Sequence, residues 1–156
     1  VLSALLLEVP QACHAVVGAD VEPPGSEWVE MTQDGFAAER EAVREFLGRD
    51  LRVIEEASGR AAEIAVAPIV LGGDAVPEIA AQVLHGGYCG SGGCLLVVLR
   101  EETSGGWAPI LQTPAATLEV SNERTRGYRD LVVLDGRAQK HVYVWNGQAY
   151  IERGSP

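Results

Sequence analysis

Basic charge is scarce in this chain. Twelve Lys and Arg stand against 22 Asp and Glu, a formal net charge of −10 with a pI near 4.7. That deficit argues against a nucleic-acid binder, because phosphate recognition needs a basic patch, and it disfavours an anionic membrane surface for the same Coulombic reason. Long apolar runs are missing too: the N-terminal stretch Val1-Leu2-Ser3-Ala4-Leu5-Leu6-Leu7 stops at Glu8, far short of the roughly 20 residues a spanning helix needs. No Gly-x-Ser-x-Gly elbow, phosphate loop or His-Glu-x-x-His motif occurs, so no catalytic residue is assigned and no cofactor or metal is implied. The glycines at Gly86-Gly87 and Gly90 to Gly93 lead into no Lys-bearing helix. The carboxylate pairs Glu55-Glu56 and Glu101-Glu102 read as solvated charges on a helix surface and a turn.

What is present suits one folded domain. The 156 residues are 47% hydrophobic and 22% charged, a composition that folds, at a length that buries roughly two-thirds of the unfolded surface. The acidity is local. Residues 20 to 63 carry twelve acids against five arginines, a net of −7, whereas from Leu95 onward seven acids meet seven bases. A solvated helix face is the expected home of the excess.

The N-terminus reads as export: residues 1–19 form a signal-peptide remnant, with small residues near Cys13-His14-Ala15 and Gly18-Ala19 as cleavage candidates. Loss of Cys13 would leave two cysteines, in Tyr88-Cys89-Gly90-Ser91-Gly92-Gly93-Cys94. Four small residues between them allow a tight turn that brings the Cα atoms within disulfide range, and an oxidising compartment, periplasmic or extracellular, would keep the bond. Closing so short a loop contributes about 2 kcal/mol. Rival readings are a redox dithiol, which prefers Cys-x-x-Cys at a helix N-terminus, a zinc site, for which only His85 lies near, and a thiol nucleophile using Cys89 or Cys94 with His85 or His141 as base. The structural disulfide Cys89–Cys94 is the preferred reading.

Residues 20–33, with Pro23-Pro24-Gly25, read as a linker, and 34–156 as a single domain. Asp34-Gly35 opens a helix in which Phe36, Val43, Phe46/Leu47 and Ile54 recur at helical spacing. Thr32 or Asp34 would cap it, Gly59 would stop it, and Gly48 with Asp50 suggests a break. Glu45 with Arg49 and Arg52 with Glu56 lie four apart on its wet face. Strand-like segments follow: Ile64 to Leu71, with Pro68 marking an edge or an end, Ile79 to His85, a strand in preference to a short helix, Leu95 to Leu99, Trp107 to Gln112, Thr117 to Val120, Leu131 to Leu134, His141 to Trp145 and Gln148 to Ile151. Asp135-Gly136 and Asn146-Gly147 read as hairpin turns. The pattern predicts an α+β domain: an N-terminal helical segment packed on an antiparallel sheet of five to six strands.

The order Pro77-Glu78, strand, Tyr88-Cys-Gly-Ser-Gly-Gly-Cys94, strand and Trp107, then Gly127-Tyr128-Arg129-Asp130-Leu131 and Tyr143-Val-Trp-Asn-Gly147, resembles a family of small exported bacterial proteins with a Cys-Gly-Ser/Thr-Gly-Gly-Cys hairpin. The likeness covers residues 71 to 150 and implies no particular activity. Members often carry an Asp-rich, calcium-loop-like segment before Pro-Glu, which here is reduced to Asp74 and Glu78, too few carboxylates for calcium by themselves.

The expectation is an exported, non-enzymatic binding domain with a protein partner in the cell envelope. Its candidate contacts are the stapled loop (Tyr88, Ser91) and the turn at Arg126, Tyr128 and Arg129, the last three with Arg124 forming the chain's one small basic-aromatic cluster. Two alternatives stay open: a thiol- or Cys/His-dependent enzyme using Cys89/Cys94 and His85, and a structural domain of a larger envelope protein.

Overall fold

The computed structural model describes residues 25–154. The expected signal remnant lies outside them. Ten strands and one helix follow in the order β1 (Glu27–Trp28), α1 (Ala37–Ser58), β2 (Glu63–Ile69), β3 (Glu78–Leu84), β4 (Cys89–Gly90), β5 (Gly93–Glu101), β6 (Trp107–Ala115), β7 (Thr117–Thr125), β8 (Tyr128–Leu134), β9 (Lys140–Trp145) and β10 (Tyr150–Glu152). All pairings are antiparallel, so the α+β class holds. The strands divide into two five-stranded sheets, where a single sheet of five to six was expected. Ala116, between β6 and β7, is where the chain passes from one sheet to the other.

The central sheet holds β2, β3, β4, β5 and β6. Leu95 pairs with Val83 on one side and Pro114 on the other, which puts β3 and β6 on opposite edges of β5. The outer sheet runs β1-β7-β8-β9-β10. Alternate side chains of β5 then separate into two cores. Leu96 and Val98 join Leu118, Val120, Leu131, Val133 and Trp145 of the outer sheet. Val97 and Leu99 join Val43 and Leu51 of α1. β5 is therefore covered on both faces, which explains why Leu95 to Leu99 is a continuous apolar run with no alternation. Each fully buried Leu or Val contributes roughly 1.5–3 kcal/mol.

α1 departs from its sequence reading at its start. Thr32 Oγ1 accepts from the Asp34 N–H, 3.0 Å away, and so stabilises a turn ahead of the helix. Neither residue caps it: the N-cap is Phe36, left-handed at φ 46° and without a side-chain cap bond. Phe36 consequently leaves the apolar stripe and stands exposed. The stripe itself packs as expected through Val43, Phe46 and Leu47. Gly59 ends the helix at φ 65°, and Gly48, at φ 50°, kinks it, a conformation glycine adopts without steric cost. Glu45 and Arg49 straddle that kink, and neither they nor Arg52 and Glu56 form an ion pair among the described residues. Arg44 instead reaches Glu55 across the kink at 3.1 Å.

The stretch read as a linker also builds structure. Glu27 and Trp28 pair with Val120 and Glu119 of β7, and Thr32 bridges Val66 of β2. Two residues with no apolar alternation give no strand signal in a sequence, and this strand exists because β7 offers it a free edge. The acid excess belongs here as well. Positions 20–34 hold five acids and no base, while α1 offsets six acids with four arginines.

Candidate functional site

Cys89 and Cys94 face each other across β4 and β5 and are joined by the expected disulfide, with Cα atoms 3.8 Å apart. The stapled tip is not a free loop. It packs on the 135–139 turn, where Gly136 N–H donates to Gly92 O at 2.8 Å and Arg137 Nη2 donates to Ser91 Oγ at 3.2 Å. A Cβ at position 136 would stand 2.5 Å from Ser91 O. Asp135-Gly136 is thus no primed hairpin turn. The positive φ falls at Ala138 (61°), and Gly136 is needed for close approach of the tip.

The same turn is clamped from the other side. His141 Nδ1 lies 2.7 Å from Glu152 Oε1, and Nε2 lies 3.6 Å from Asp135 Oδ2. The Glu152 hydrogen bond, and after it the nearby Asp135 carboxylate, raises the His141 pKa above its ordinary 6.5. A raised histidine pKa contributes stability that is complete below the unfolded value and lost as pH rises through the folded one. The gap in urea midpoint between the native protein and His141→Gln should therefore be wider near pH 5.5 than near pH 8.5. An equal gap at the two would refute the clamp.

The turn residues expected to make contacts are divided by the fold. Arg126 and Gly127, at φ 53° and 85°, form the two-residue loop between β7 and β8, the mirror-image turn that matches strand twist, and Arg126 Nη1 donates to Asn146 O at 2.6 Å. Tyr128 stacks on Trp145 with ring centroids 4.6 Å apart. The Arg100 guanidinium lies 4.7 Å from the Tyr128 ring centre and 4.6 Å from that of Trp145. Arg129 is buried and serves structure. Its Nε donates to Ser121 O (2.7 Å), Nη1 to Glu27 Oε1 (3.0 Å), and Nη2 to Gly25 O (3.0 Å) and Val120 O (3.1 Å). Ser91 packs beyond the far end of β8 from Tyr128, roughly 20 Å along the strand, so the loop and the turn do not form one surface.

Asp74 and Glu78 are likewise kept apart in role. Asp74 Oδ1 accepts from Val76 N–H at 3.4 Å. The Glu78 carboxylate is buried, accepting from Leu71 N–H at 3.1 Å with Arg100 at 3.6 Å, and burial pushes its pKa up.

Three of the concave regions among the described residues bear on a binding role. A cleft of about 580 Å³ is bordered by Ser58, Arg60, Glu63, His85 and Cys89. There His85 Nδ1 accepts from Gly87 N–H and Nε2 contacts Ser58 Oγ, each at 3.0 Å, tying the end of α1 to the turn after β3. A second, of about 620 Å³, lies beside the helix kink among Phe46, Val53, Ile54, Tyr88 and Leu95, with the Tyr88 hydroxyl buried and unpartnered. Burial, then Asp50 and Glu55, raise the pKa of that phenol.

The third groove, about 490 Å³, runs between β1, the helix start and the β2 edge. It is lined by Trp28, Phe36 and Val70, which are 57%, 42% and 44% exposed, with Glu27 and Glu30 beside them. Three of the six exposed large hydrophobic residues of the described chain are in this one place, and single exposed apolar residues carry no meaning where a cluster does. Of the three, only Phe36 had a contact reading from the sequence, as part of a helix stripe that is core first and a partner-groove filler second. Trp28 lay in the expected linker and Phe36 in the expected core stripe. Taken with this geometry, the comparison with known proteins leaves the groove to be read on its own chemistry: no protein family, no curated protein and no solved structure matches the chain.

Proposed function

We propose that the domain is a non-enzymatic binding module of an oxidising compartment, periplasmic or extracellular, that engages a protein partner in the cell envelope. The observation that carries the reading is the groove of Trp28, Phe36 and Val70, where large apolar side chains are presented to solvent. Aromatic residues such as Trp28 and Phe36 anchor interfaces because they bury much area at little entropic cost. Phe36 stands there on a left-handed backbone, a conformation that costs a non-glycine residue of order 1 kcal/mol. The disulfide supports the compartment, since cytosolic reductants would not leave it closed.

A second reading has its own observation. Cys89 and His85 border one cleft, which is the arrangement a thiol–imidazole enzyme needs. In the oxidised protein both sulfurs are bonded to each other and neither can act as nucleophile. Alkylation of the native protein followed by peptide mass spectrometry separates the two. No label at Cys89 or Cys94 before reduction, and labelling of both after it, is the expected result. Two alkylatable thiols at these positions in the native state would favour the enzyme.

A further inference from the structure

We infer that the occupant of the Trp28–Phe36–Val70 groove is a cationic segment of a partner protein, one that presents Lys or Arg side chains interspersed with apolar ones. The inference rests on the binding-module reading and adds the chemistry of the partner. Two features of the groove point the same way. Its floor is apolar and its exposed aromatic faces are Trp28 and Phe36, of which Trp is the strongest cation–π acceptor among side chains. Its rim is acidic: Glu27 and Glu30 line it, Asp34 follows in the same stretch, and positions 20–34 contain no Lys or Arg.

The one cation among the residues that line the groove is already engaged. Arg129 borders it but is buried, holding Glu27 at 3.0 Å and three backbone carbonyls. Arg40, one turn into α1, folds its guanidinium back onto Gly35 O. Glu30 forms no ion pair among those of the described residues. An apolar floor alone would accept any hydrophobic surface. An acidic rim repels acidic partners and steers basic ones toward the groove. Lys and Arg also suit such a surface because their aliphatic stems lie on apolar ground while the charged heads reach the carboxylates.

The test uses the full chain and two short synthetic peptides, one alternating Lys with Leu and the other alternating Glu with Leu, titrated by isothermal calorimetry. The Lys-Leu peptide should bind, more weakly at higher salt, with the Glu-Leu peptide at least about tenfold weaker. Trp28→Ala and Phe36→Ala should each weaken the Lys-Leu peptide by about tenfold, with Trp28→Phe retaining most of the affinity. Glu30→Gln should weaken it by a few-fold, while the paired change Glu101→Gln and Glu102→Gln, greater in charge but at the end of β5 and the start of the turn after it, should leave it unchanged. Far-ultraviolet circular dichroism verifies that each variant is folded.

Equal weakening by the control pair would show only the pull of an acidic protein on a basic peptide and would overturn the inference. Comparable, Trp28-dependent binding of the Glu-Leu peptide would keep the binding module and overturn the cationic partner. Binding of neither peptide, with a Trp28-dependent dimer seen by sedimentation, would make a second copy the occupant and likewise overturn it. Binding of neither peptide by a monomer would remove both the inference and the groove as the binding site.

Discussion

Replacing Arg129 by Met is expected to destabilise the domain by about 3–5 kcal/mol. The guanidinium is buried and holds four oxygens: Gly25 O, Val120 O and Ser121 O on the backbone, and Glu27 Oε1. Methionine fills much of the same volume but donates nothing, and each buried acceptor left unpaired costs about 1–3 kcal/mol. Tyr150 adds to the site, since its hydroxyl donates to Arg129 O at 2.7 Å, so the residue is anchored through its backbone as well. The loss should fall mainly on β1. Arg129→Lys restores a charge but has no planar fork, and should recover only part of the loss. Urea unfolding followed by tryptophan emission measures both. A change under about 1 kcal/mol for the Met variant would mean that water reaches these oxygens and that the arginine contributes no more than an exposed one.

Gly93→Ala should cost about 3 kcal/mol or more, although it adds one methyl group. At Gly93 the backbone has φ 107°, where an L side chain is strained, and the added Cβ would overlap the carbonyl carbon and oxygen of Ala115 on β6. Left-handed backbone costs 1–2 kcal/mol outside glycine, and overpacking against a fixed neighbour a further 1–3. The neighbour here is backbone, not the end of a flexible side chain, so relief requires the β5–β6 pairing at Cys94 and Ala115 to open. Gly90→Ala provides the contrast. Nothing lies within 4 Å of a Cβ there, and the change should be nearly neutral. Thermal unfolding of the two variants distinguishes them, and similar melting temperatures would refute the steric account.

The sequence revealed most where one force acts alone. Gly59 as helix stop and Gly48 as kink were legible because positive φ is a local demand that glycine meets. Leu95 to Leu99 was legible as a buried strand because both of its faces are covered. The disulfide followed from a glycine-rich spacing. The number of sheets did not follow, because a period of two shows that a strand has a core face but not which sheet it joins, and the change of sheet at Ala116 has no residue signature. Arg129 was legible only as a charge beside an aromatic. That it is buried depends on β1, a strand of two residues whose partner lies more than 90 positions further along the chain. The groove was hidden for the same reason, since Trp28 and Phe36 come together with the β2 edge only once that strand has docked.

That separation has a kinetic meaning. Strands β5 and β6 form one hairpin and β7 to β10 join through successive hairpins of the other sheet, contacts that close short loops and form early. β1 is held by register pairs to Val120 and Glu119 and by Arg129, whose bond to Gly25 spans 104 positions. So long a closure is entropically the most expensive in the fold and is held by few hydrogen bonds, which makes β1 the strand expected to exchange its amides first while the sandwich stays intact. One wall of the groove therefore opens and closes on its own equilibrium. A bound partner would draw that equilibrium shut, and its arrival would register as slowed hydrogen exchange at the Val29 amide, which donates to Leu118 O.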